Sequence, residues 1–120
     1  MDADQRRRLM ADGRAAFNRG EFYEAHEFWE EVWLELDGAE RLWVQGMIQI
    51  ATGLHKLARD QRATCRTLLA KALAKLADAP PALDGFDLAR MIAEARAVDE
   101  TLARGEPADP RSVILRKAVE

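Results

Sequence analysis

His26 and Glu30 stand four residues apart in Phe22-Tyr23-Glu24-Ala25-His26-Glu27-Phe28-Trp29-Glu30-Glu31-Val32-Trp33, and the chain's other histidine, His55, follows in the next apolar segment. On a helix that spacing puts His26 and Glu30 in reach of each other on one face. Two imidazoles and a carboxylate with open positions are the donor set of a divalent metal site. His26, Glu30 and His55 are therefore the candidate metal ligands, and a divalent ion is the cofactor they would hold. The same residues have a plainer use. His26 would hydrogen-bond Glu30 or Gln49 and hold two helices in register, leaving His55 as a half-exposed flank. Gln45, Gln49 and Thr52 line up as one polar strip on the following segment. If the strip is buried each side chain needs a partner, because an unsatisfied amide or hydroxyl costs about 1–3 kcal/mol; if it faces water it needs none.

Helices must position these groups, since apolar residues recur at three- and four-residue intervals nearly throughout, with almost no β-branched alternation. The fold class is all-α, a single-domain bundle of about five helices. The first runs from about Asp4 to Phe17, opened by Asp2 and Gln5 as a capping box. Gly20 supplies the turn into a second helix from Phe22 to Leu36, which Asp37-Gly38 closes. On that helix His26, Trp29, Trp33 and Leu36 fall within about 40° of Phe22, so His26 belongs to the core-facing stripe with Glu30 at its border. The third helix, Ala39 to Ala58, carries no charge between Leu42 and Leu54 and should lie centrally. Gly46 and Gly53 on it would let a neighbouring helix approach closely. An antiparallel hairpin closed at Gly38 sets Glu30 level with Met47 and His26 level with Ala51, bringing His55 within a turn of His26. A fourth helix runs from Arg62 to Ala79, stopped by Pro80-Pro81. After a loop to Phe86, a fifth starts at an Asp84 or Asp87 cap and ends at Arg104-Gly105. Val113-Ile114-Leu115 is apolar enough to pack back on the bundle.

Composition narrows the function. A chain of 120 residues forms one domain, and 48% hydrophobic with 32% charged residues describes a compact water-soluble protein. A net charge of −3 gives no reason to bind nucleic acid. The uncharged run Leu42–Leu54 is shorter than the ~20 residues that span a bilayer, and the start lacks a signal peptide's apolar core. These features, with Cys65 as the only cysteine, place the protein in the cytoplasm. Cys65 shares a stripe with Leu68, Leu69, Ala72, Leu73 and Leu76 and reads as a buried core thiol. From Gly20 to Glu40 the chain is acidic and free of Lys and Arg. Glu24, Glu31 and Glu35 lie opposite the core stripe, as a solvated face or as a surface for a basic partner or cation. Phe28 also points away from the stripe, so another helix or subunit should cover it, and a homo-oligomer is one way to do so.

Leu9, Gly13, Gly20, Phe22, Ala25 and Trp29 are spaced like one tetratricopeptide hairpin, though no second copy recurs at that family's period. A closer resemblance covers nearly the whole chain. Phe17-Asn18-Arg19-Gly20-Glu21-Phe22-Tyr23-Glu24-Ala25-His26-Glu27 through Trp33, then Gln45-Gly46-Met47-Ile48-Gln49-Ile50-Ala51 with His55, resembles the prokaryotic domain of unknown function 309 family. The resemblance implies a small all-α fold in which His26, Glu27, Trp33, Gln45, Gln49 and His55 match recurring motif positions; it implies no substrate. Where relatives have a small-residue step after the second histidine, this chain has Arg59-Asp60-Gln61-Arg62. The leading expectation is a non-enzymatic binding or interaction module for a protein or small-molecule partner, with no nucleic acid and no membrane. It leads because no nucleophile–base pair, phosphate-cradling glycine loop or dense metal motif is present. The alternatives are a metal-dependent hydrolase-type enzyme using His26, His55 and Glu30 or Glu27, and a structural scaffold with a satisfied polar core.

Overall fold

Asp2 accepts from the Gln5 backbone N–H while the Gln5 side chain accepts from the Asp2 backbone, and this capping box opens α1 (Ala3–Asn18). The computed structural model describes residues 1–119. Gly20, at φ +81°, turns the chain into α2 (Phe22–Trp33), and Asp37 with Gly38, at φ +60°, begins α3 (Gly38–Ala58). α4 spans Arg62–Lys75 and α5 Leu88–Ala103, the latter capped by Asp87, whose carboxylate accepts from the Arg90 N–H.

Two helices are shorter than their apolar pattern predicts. After Trp33, Glu35 N–H donates to Val32 O and Leu36 N–H to Trp33 O, so α2 tightens into a three-residue turn before Leu36. The same change, with Ala77 donating to Ala74 O and Ala79 to Leu76 O, ends α4 ahead of the prolines. The segment expected as a plain loop contains a small antiparallel hairpin, β1 (Ala82–Leu83) and β2 (Phe86–Asp87). Its turn is Asp84-Gly85 with φ +51° and +79°, the left-handed pair that favours a two-residue hairpin. Asp84 is thus a turn residue, and Asp87 alone caps α5.

The helices pack mainly in chain order: α2 against α1, α3 between α2 and α4, α5 against α4. Glycines set two of these approaches. Trp29 lies across Gly13, where an added Cβ would sit 2.1 Å from the indole nitrogen, and its Nε1–H donates to Met10 O at 3.3 Å. Phe17 stacks beside Trp29 and meets Phe22 edge-on, so the small-residue contact of the tetratricopeptide-like hairpin is present. Gly46 faces α4, where a Cβ would meet Leu76 at 2.6 Å. Cys65 is buried at that interface, and burial first, then the charge of Asp99, pushes its thiol up to about 11. Phe28 is half-buried, packed against the core.

Val113 and Leu115 are buried, as the apolar tail predicts. Asn18 holds the tail to the end of α1: its Nδ2 donates to Leu115 O and its Oδ1 accepts from Leu115 N–H, both at 2.9 Å. Glu94 Oε1 accepts from Ile114 N–H at 3.0 Å and from Arg116 at 2.9 Å.

Candidate functional site

The polar residues singled out above lie along the groove between α2 and α3, and none is a fully buried residue. His26, Trp33, Gln45, Gln49 and His55 are half-buried, whereas Glu27 and Glu30 are exposed. The cluster is a surface groove rather than a closed polar core, because Ala25, Trp29 and Val32 take the core side of α2 and leave His26 at its flank.

At one end the Tyr23 ring touches both imidazoles, with centroids 4.8 Å from His26 and 5.6 Å from His55. His26 Nδ1 is 2.5 Å from Tyr23 O. A carbonyl can only accept, so Nδ1 carries the hydrogen and Nε2 is the nitrogen turned toward Glu30, whose Oε2 is 3.4 Å away. Burial first, then the positive charges of Arg59 and Lys56, hold His55 below the ordinary imidazole range against the opposing pull of Glu24. His55 therefore offers a neutral ring at neutral pH. His26 and Glu30 could offer neighbouring donors to an ion, but among the described residues no three His, Cys, Asp or Glu side chains are grouped to hold one.

Further along the groove Glu30, Trp33, Gln45 and Ile48 line a hollow of about 170 Å³. The Arg41 guanidinium covers the Trp33 ring at 4.0 Å from its centroid. Two buried polar atoms have no hydrogen-bond partner among the described residues, the donor Trp33 Nε1, on a residue that lines the hollow, and the acceptor Gln49 Oε1 on α3. Thr52, the third residue of the strip, is satisfied within α3 by Ile48 O and Gln49 O. Sequence reasoning passed over Tyr23 and Arg41 as participants. Tyr23 could have been found, since it lies three residues before His26 and is one of few aromatics outside the apolar stripe.

Residues 10–68 match the model of the domain of unknown function DUF309, and that range contains every groove residue from Tyr23 to His55. The chain belongs to the DUF309 family. It is also 30% identical over 100 residues to an uncharacterized protein of Aquifex aeolicus (strain VF5), a match covering 82% of this chain and 30% of that protein's length. The DUF309 match covers the groove and ends within α4. Among the described residues no helix is long and apolar enough to cross a membrane.

Proposed function

We propose that this DUF309 chain is a non-enzymatic binding module of the cytoplasm whose α2/α3 groove receives a segment of a protein partner. The observation that carries the reading is the pair of unpartnered buried atoms on the two facing helices, Trp33 Nε1 of the Glu30–Trp33–Gln45–Ile48 hollow and Gln49 Oε1 of α3. Each costs the free protein about 1–3 kcal/mol of desolvation, a cost that a partner's peptide group, one N–H and one C=O, would remove once the side chains covering the two atoms move aside to admit it. Half-exposed Tyr23, with 50% of its surface open, and the Trp33 face supply the apolar contact that such a segment buries.

The reading separates from a purely structural role by the sign of one effect. Gln49→Met keeps the volume and removes the unsatisfied amide, so it should hold or raise the melting temperature while abolishing selection of peptides from a phage-displayed library that the natural chain enriches. A Gln49→Met protein clearly less stable than the natural chain would mean that the amide is satisfied within the fold, and the scaffold reading would replace this one.

A further inference from the structure

A second hollow, about 540 Å³, opens between α1, the Asp84-Gly85 turn and the tail. Its size is that of a small-molecule site. Met10, Ala3, Ala11 and Phe86 give it a largely apolar wall, with Arg6, Arg7, Asp84 and Lys117 as its charged members. Arg6 and Asp84 cancel each other: the Arg6 guanidinium grips both Asp84 oxygens, at 2.9 and 2.8 Å, and also bonds Glu40 at 2.7 Å. That leaves Arg7 and Lys117 as the charges of the wall without a partner inside it, both positive, in a chain whose net charge is −3. Arg7 pairs only with Asp4, one turn away on the exposed face of α1, a solvent-screened pairing that is readily exchanged. Lys117 enters no ion pair among the described residues.

The hollow is also held open by structure built for it. Arg6 ties the hairpin turn to α1 across the chain. Asp87 N–H donates to Arg116 O at 2.7 Å and Ala118 N–H to Gly85 O at 2.8 Å, so the tail pairs with β2 through one antiparallel bridge between Phe86 and Lys117. Arg14 bonds Leu115 O at 2.7 Å and places its guanidinium 5.7 Å from the Phe86 ring centre, which fixes the aromatic wall. An apolar cavity with a fixed wall and two available cations at its edge suits a ligand with a hydrocarbon or aromatic body and one negative end. We propose that this hollow binds a small amphipathic carboxylate, its body against Met10 and Phe86 and its carboxylate between Arg7 and Lys117. The site is separate from the α2/α3 groove and stands whether or not that groove binds a peptide.

Decanoate and decyltrimethylammonium, each below its micelle concentration, and decan-1-ol, below its solubility limit, would be titrated into the full chain by calorimetry and by ¹H–¹³C methyl and aromatic NMR. The expected result is saturable binding of one decanoate, with shifts at Met10, Ala11 and Phe86 and none at Tyr23 or Ile48. The alcohol should bind about tenfold more weakly, the loss expected when a charge-assisted hydrogen bond is removed. Arg7→Glu with Lys117→Glu should cost decanoate at least that factor and leave decanol unchanged, and Ala11→Trp should block both by filling the hollow. No binding, equal binding of alcohol and carboxylate, preference for the cation, or shifts confined to the α2/α3 groove would each overturn the proposal, and these readouts on the natural chain need no variant to fold.

Discussion

Gly13 shows how one residue can hold a helix pair. Any side chain there collides with Trp29, whose ring is itself fixed by Phe17 and by its bond to Met10 O. Gly13→Ala should therefore lower stability by about 1–3 kcal/mol, read as a fall in the denaturant midpoint. Asp60 carries the opposite sign. It closes α3 at φ +61°, where glycine is at ease and an L-residue is strained, so Asp60→Gly should raise stability by about 1 kcal/mol in the same assay. This explains the departure at Arg59-Asp60-Gln61-Arg62: the turn keeps a left-handed residue without a glycine. His55 gives a pH signature. Its folded pKa is depressed, so the fold favours the neutral ring; that contribution is present above the unfolded value, 6.5, and is lost as pH falls through the folded value. NMR titration should find His55 below 6.5, and His55→Gln should flatten the loss of stability on mild acidification.

At the scale of elements, the amphipathic spacing located five helices and the polar signals that open them, and the helix starts agree closely with the reading. The ends of α2 and α4 do not, because apolar residues such as Leu36 and Ala79 continue the pattern after the backbone has changed to three-residue bonding. The hairpin was legible in principle: Leu83-Asp84-Gly85-Phe86 carries the turn dipeptide between apolar residues. Its strands are two residues each, too short for alternation to show. Docking of the tail rests on Glu94. Burial pushes that carboxyl up, but its bonds to Arg116 and Ile114 N–H and the charges of Arg116 and Arg90 outweigh this and hold it below the usual range. A depressed carboxyl stabilises the fold above its unfolded pKa and loses the contribution as pH falls through the folded one. Glu94→Gln should thus cost about 1–2 kcal/mol at neutral pH, and the difference from the natural chain should shrink below pH about 4.

Across the whole molecule, the tail couples the helical core to the second hollow. Leu115 is fully buried, and its backbone is bonded to both Asn18 and Arg14. Leu115→Ala should cost about 2–5 kcal/mol. In temperature-matched calorimetry, where most of the variant is still folded, it should also weaken decanoate binding, because the tail forms part of that wall.

The sequence by itself determined the helical class, the core thiol and the capping of α1. These follow from local spacing. Only the tertiary structure decided that the groove is open to solvent, that Tyr23 stands against both histidines, and that Trp33 and Gln49 keep unpartnered buried atoms. It also decided that Phe28 packs against the core and that Arg6 meets Asp84. Those outcomes depend on which neighbour covers each helix flank and on contacts between residues far apart in the chain, and neither is encoded in the period of any one segment.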